Sequence, residues 1–94
     1  MTITAPRFTL GQTVATPGAI EALAESNQAP SDFLRRHVSG DWGDLGIEDQ
    51  QRNQDAIRNG ERLFSAYRTS MGTKIWIITE ADRSVTTLLL SDEY

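Results

Sequence analysis

The sequence predicts an α+β domain: a short N-terminal strand and two to three helices packed on one face of a C-terminal three-stranded antiparallel β-meander. Two observations carry this. Apolar residues recur at three- and four-residue spacing through the first two thirds of the chain, the mark of amphipathic helices, and the period drops to two from Glu61 onward, the mark of strands. Helices that precede hairpin-linked strands settle on one face of the resulting sheet. At 94 residues the chain has the length of one domain, and at that size only ~60–65% of the unfolded surface is buried, so the core is thin. The expected organisation is a flexible tail over 1–6 and a single domain over 7–94.

The elements follow in order. Phe8, Leu10, Gln12 and Val14 alternate around Gly11 and predict a short, bulged strand. Thr16-Pro17 is a helix start, a hydroxyl cap followed by proline at the first helical position; Ile20, Leu23 and Ala24 then form one stripe, giving a helix over about 17–26. Pro30 opens a second helix lined by Phe33, Leu34 and Val38 and stopped at Gly40. A third runs from Ile47 to Asn59, stopped at Gly60. It is strongly polar, supported by Glu48–Arg52 and Asp55–Arg58 pairs, with Ile47 and Ile57 expected to anchor its inner side. Strands are expected over Glu61–Arg68, Lys74–Thr79 and Val85–Leu90, joined by turns at Ser70–Thr73 and Glu80–Ser84.

The formal net charge of −4 lies in one place: Asp41, Asp44, Glu48, Asp49 and Asp55 face only Arg52 between residues 41 and 55, and the flanking segments balance. Phosphate neutralisation by Lys and Arg supplies most nucleic-acid affinity, so a chain with this balance is a poor nucleic-acid binder. Without cysteine there is no disulfide framework, thiolate metal site or cysteine nucleophile. No apolar run approaches the ~20 residues of a membrane span, Met1–Pro6 lacks the basic and apolar regions of a secretory signal, and a cytoplasmic location is expected. No Gly-rich phosphate loop or nucleophile elbow is present, and no cofactor is implied.

Three constellations carry possible chemistry. In His37-Val-Ser-Gly-Asp-Trp-Gly-Asp44, a histidine precedes Asp41 by four residues and Asp44 by seven. A carboxylate beside the imidazole would orient it and raise its pKa for acid–base work, and the same groups are metal-ligand types. The structural alternative has Asp41 or Asp44 capping the third helix and Trp42 filling the core. The second constellation is the turn Glu80-Ala-Asp-Arg83, in which Arg83 is suited to a bidentate anion contact, or in which Glu80 or Asp82 merely pairs with Arg83 at the surface. The third is the aromatic set Phe33, Trp42, Phe64, Tyr67 and Trp76, either a binding face or the core of a thin domain; core is the expected role.

Arg36-His-Val-Ser-Gly-Asp-Trp-Gly-Asp-Leu45, with Ser65-Ala-Tyr67 and the run from Trp76 to Leu90, resembles a family of short bacterial proteins carried near plasmid and integrative-element genes. Some of these bear the names "type I restriction endonuclease subunit M" or "plasmid-related protein". The resemblance spans about Leu10 to Tyr94 and implies a bacterial mobile-element setting without an activity. The methyltransferase motifs and length that the first name requires are not in this chain.

The leading expectation is therefore a non-enzymatic protein-interaction or accessory module, recognising a protein partner or a second copy. Glu48, Asp49 and Asp55 would form its acidic recognition face, and a sheet edge formed by the first or last strand would offer a further contact. The alternatives are a small toxin ribonuclease of the RelE type, whose order of elements this chain shares, and a metal or acid–base enzyme centred on His37 and Asp41.

Overall fold

The computed structural model describes residues 5–94. The tail expected over 1–6 falls mostly outside them; Ala5 and Pro6 are exposed and belong to no element. The order is β1 (Gln12–Ala15), α1 (Pro17–Glu25), α2 (Pro30–Val38), α3 (Ile47–Asn59), β2 (Leu63–Arg68), β3 (Lys74–Thr79) and β4 (Val85–Leu90), closed by a 3₁₀ turn at Ser91–Glu93. Among the described residues no helix is long and apolar enough to cross a membrane.

Local chemistry accounts for the helix ends. The Thr16 hydroxyl accepts from the Ala19 amide at 3.1 Å, and Pro17 follows it at the first helical position. Helices α2 and α3 both stop at left-handed glycines, Gly40 at φ +89° and Gly60 at φ +69°. After α2 the Asp41 amide reaches back to the Arg36 carbonyl at 2.9 Å and the Gly40 amide to that of His37 at 3.2 Å, which satisfies carbonyls the helix end would otherwise orphan.

The sheet departs from the expected one. β2, β3 and β4 form the antiparallel meander, but β1 joins it as a fourth strand, parallel to β4, and the order across the sheet is β1-β4-β3-β2. The last strand is therefore internal and not an edge. β1 is also shorter than the alternation suggests. Ahead of it, the Arg7 amide donates to the Val38 carbonyl at 2.8 Å and the Leu10 carbonyl accepts from the Thr86 hydroxyl at 2.7 Å, so this stretch is bonded to α2 and to a side chain, not to a ladder.

Alternation along each strand sends Leu63, Ser65, Tyr67, Ile75, Ile77, Thr79, Thr86 and Leu88 to one face, where all are buried. The helices cover this face in two apolar clusters. One joins Ala19, Leu23 and Phe33 to Tyr67, Ile75, Ile77 and Leu88. The other joins Trp42, Ala56 and Leu63, with Phe8, Leu45 and Ile57 packed around them. Complete burial of each large apolar side chain contributes about 1.5–3 kcal/mol. Ile47 belongs to neither cluster and is 84% exposed. The inner side of α3 is held by Asn53, Ala56 and Ile57 instead, because Ile47 at the first helical position precedes the turn that meets the sheet.

Candidate functional site

His37 lies between the two clusters and is fully buried. Its Nδ1 is 2.5 Å from the Ser65 hydroxyl and its Nε2 is 2.9 Å from that of Thr79. Thr79 is in turn 2.8 Å from Thr86, which donates to the Leu10 carbonyl at 2.7 Å. Each hydroxyl has one hydrogen, which sets the direction of the whole chain. The Leu10 carbonyl can only accept, so Thr86 donates to it, Thr79 donates to Thr86, and His37 Nε2–H donates to Thr79. Nδ1 is then bare and accepts from Ser65. The imidazole is neutral, and burial alone holds its pKa down to about 4. This reverses the expectation that a carboxylate would raise it.

Asp41 does not face the imidazole. Its carboxylate takes two bonds from Arg36, at 2.7 and 3.4 Å, and accepts from the Gly43 amide at 3.2 Å. The hydrogen bond from Arg36 holds the Asp41 carboxyl below its ordinary range. Arg36 also lies over the Tyr67 ring, 4.6 Å from its centroid, while the Tyr67 hydroxyl donates to the Asp41 carbonyl at 2.6 Å; burial pushes that phenol up to about 12. Asp44 pairs with Arg68 at 3.6 Å and does not cap α3, whose N-cap is Gly46. Among the described residues, no group of three or more His, Asp or Glu side chains is placed to hold a metal ion.

The 80–83 turn lies elsewhere, and its charges do not pair as expected. Glu80 meets Arg62 at 3.4 Å. Asp82 accepts from the Ser84 amide at 3.0 Å, the ordinary office of an aspartate in a turn. Arg83, at φ +60°, spends its guanidinium on main-chain carbonyls: Ala56 at 3.0 Å, Glu61 at 2.6 Å, Glu80 at 3.2 Å and Ala81 at 3.1 Å. It ties the β3–β4 turn to the C-terminal end of α3, where positive charge also suits the helix dipole.

On α3 the acidic face is largely neutralised within the chain. Asp49 pairs with Arg52 at 3.5 Å, in place of the expected Glu48–Arg52 pair, and Asp55 with Arg58 at 2.6 Å. Glu48 and Asp49 are exposed and Asp55 is half-buried.

The concave apolar surface lies on the opposite side of the molecule. Phe64, Ala66, Trp76, Ile78, Thr87 and Leu89 project from the face of the sheet that carries no helix. The Phe64 and Trp76 rings meet edge to face at 4.9 Å, and Tyr94 leans on Trp76 at 5.4 Å. With Arg62, Leu63 and Ile78 they enclose a hollow of about 280 Å³. Trp76 also borders a second, larger and more polar depression of about 510 Å³, lined by Asp44, Arg68, Lys74 and Asp92 among others. The rim thus carries Arg62, Arg68 and Lys74 against Glu80, Asp44 and Asp92, and is neutral as a whole.

No protein-family model, curated protein or solved structure matches this chain. The site is accordingly defined by its geometry.

Of the residues singled out from the sequence, His37 is interior, Asp41 and Asp44 hold separate arginines, the 80–83 turn braces α3, and no two of these groups share a cavity. Phe33, Trp42 and Tyr67 are core, as expected, whereas Phe64 and Trp76 line the open face. The signal for that face was present in two places. Phe64 is out of phase with Leu63 and Tyr67, and the unbroken run Ile75–Ile78 is apolar on both sides of its strand, which an antiparallel sheet with one wet face does not need. Tyr94 carried no signal, because its position depends on where the closing turn sends it.

Proposed function

We propose that this protein is a non-enzymatic interaction module, an accessory protein in the mobile-element setting that its sequence resemblance suggests. It docks through the open sheet face on a partner protein that presents an uncharged, apolar side chain. The observation that carries this reading is the aromatic hollow of Phe64, Trp76, Ile78 and Tyr94 on a face free of helices. Aromatic anchors around a desolvated pocket are where binding energy concentrates at protein interfaces. The balanced rim selects the partner's chemistry: three cations and three carboxylates neither attract nor repel a neutral segment. The intramolecular ion pairs on α3 support this face over the acidic one, since a partner would have to compete with Arg52 and Arg58 for Asp49 and Asp55.

A phage-displayed peptide library selected on the immobilised protein tests the assignment. Selected peptides should carry an apolar anchor, shift the indole N–H resonance of Trp76 and leave that of Trp42 in place. Their affinity should change less than ~3-fold between ~50 and ~500 mM salt, because screening acts on exposed charges. Peptides that bind a Tyr94→Ser/Ile78→Ser variant as tightly as wild type, or that perturb α3 instead, would overturn the reading.

A further inference from the structure

The sheet has two edges, and the chain treats them differently. Along β2 the outer edge is covered. The Asn53 side chain donates to the Phe64 carbonyl at 2.7 Å and accepts from the Phe64 amide at 3.1 Å, as a neighbouring strand would. One pair further on, the Ala66 amide donates to the Trp42 carbonyl at 3.2 Å and the Ala66 carbonyl accepts from the Asp44 amide at 2.7 Å. Along β1 no such cover is present among the described residues. The Gln12 amide donates to the Ser84 carbonyl and the Thr16 amide to the Leu88 carbonyl, both at 3.0 Å. The alternation of the parallel ladder therefore turns the main-chain groups of Gln12, Val14 and Thr16 toward β4 and those of Thr13 and Ala15 outward. Gln12, Thr13 and Val14 are exposed. Within the strand there is no charge and no proline, the devices that usually keep an open edge from pairing.

We infer that β1 is the contact through which two copies of this chain associate, pairing antiparallel across a two-fold axis centred on Val14. Outward groups can pair only with outward groups, which leaves few registers. Centring on Val14 sets Thr13 opposite Ala15 of the second copy and closes four main-chain hydrogen bonds. Centring on Ala15 sets Thr13 opposite Pro17, which has no N–H. Centring on Thr13 brings in Gly11, whose φ of +64° has already left the strand. In the chosen register the two Val14 side chains, each 39% exposed, meet on the axis.

Charge does not oppose this arrangement, the acids of residues 41–55 being mostly paired within the chain. The net charge of −4 lies in residues 41–55, and α3 packs against β2 at the far end of the sheet from β1. Joining copies at β1 keeps the two acidic segments apart by seven strand spacings, about 33 Å, well beyond the ~8–10 Å over which exposed charges act at ordinary salt. The two sheets become one of eight strands, and the two aromatic faces lie side by side on it.

An interface of four residues a side is small, so association is weak and concentration-dependent. Sedimentation equilibrium of the wild type from ~10 µM to ~1 mM should move from monomer toward dimer, and Val14→Lys, which sets two like charges on the axis, should raise the dissociation constant at least ~10-fold with an unchanged thermal melt. The chain has no cysteine, so Val14→Cys under mild oxidation should yield a covalent dimer, the paired Cα atoms of a non-hydrogen-bonded site being ~4.5 Å apart. Asn59→Cys, on the end of α3, should not. A wild type that stays monomeric throughout, or equal cross-linking of the two cysteine variants, overturns the inference. Trp76→Ser should leave the dimer intact. If it dissolves the dimer while Val14→Lys does not, the copies meet through the aromatic face and the edge assignment is wrong.

Discussion

His37 shows how a residue with reactive chemistry is converted into a structural one. Both ring nitrogens are occupied by hydroxyls with committed hydrogens, that of Ser65 to Nδ1 and that of Thr79 to Thr86, which donates in turn to the Leu10 carbonyl. Protonation would place a hydrogen on Nδ1 against a Ser65 hydroxyl that already donates there, and a charge in the interior with no carboxylate bonded to the ring. The folded-state pKa of about 4 lies below the ordinary 6.5. The unfolded chain therefore binds the extra proton more readily. The stability that His37 contributes is fully present above pH 6.5 and is lost as pH falls toward 4, roughly 3 kcal/mol over the whole window. Urea unfolding at pH 7 and pH 5 should differ by about 2 kcal/mol. Asp41, Asp82 and Glu93, whose pKa values are lowered, release their contribution only at still lower pH and do not confuse this comparison. Equal stability at the two pH values would mean that the ring is reached by water.

Over its thirteen residues α3 brings Ala56 and Ile57 to the apolar cluster beside Trp42, and much of its attachment is polar. Arg83 holds its C-terminal carbonyl and Asn53 joins its middle to the edge of β2. Asn53 is 4% exposed, so removing its amide leaves the Phe64 N–H and C=O without partners next to the core. Asn53→Ala should cost about 2–3 kcal/mol, the combined penalty of two unmet groups. Asn53→Asp should be worse, since a carboxylate accepts from the Phe64 amide but faces the Phe64 carbonyl with like polarity. Thermal melts of both variants check the order. If Asn53→Asp proves the milder of the two, the amide is not acting as a substitute strand.

For the molecule as a whole, the second apolar cluster depends on one side chain. Trp42 is 3% exposed, stacks with Phe8 at 6.1 Å and meets the His37 ring at 5.8 Å, which places it between the N-terminal segment, α3 and the sheet. Its Nε1–H is buried without an acceptor, so its contribution comes from packing alone. Trp42→Ala should destabilise by about 3–5 kcal/mol, a large part of the ~5–14 kcal/mol that a chain this long possesses. Trp42→Phe keeps most of the contact area and removes the unmet donor, and its loss should be less than half as large. Chemical denaturation of the pair separates the two contributions; equal losses would show that the indole nitrogen finds a partner after all.

What the sequence determined by itself is local. The bounds of α3 and the strands β3 and β4, the Thr16-Pro17 start and the glycine stops at positions 40 and 60 all follow from periodicity, capping and backbone freedom, which act within a few residues. The burial of Trp42 was legible too, because an indole between two glycines in a polar stretch has no reason to face water. The tertiary structure alone decided where β1 pairs, since nothing in Gln12–Ala15 specifies β4 as its neighbour, and it thereby decided which strands became edges. It also chose the partners of most charges outside the helices, where spacing alone had already given the Asp55–Arg58 pair. Spacing along the chain suggested His37 with Asp41 and Glu80 or Asp82 with Arg83, whereas folding brought Ser65 and Thr79 to the imidazole, Arg62 to Glu80 and four carbonyls to Arg83. Hydrogen bonds and ion pairs reach across only a few ångströms of space, and outside the regular spacing of a helix, nearness in sequence does not decide which residues a folded sheet and its covering helices place within that distance.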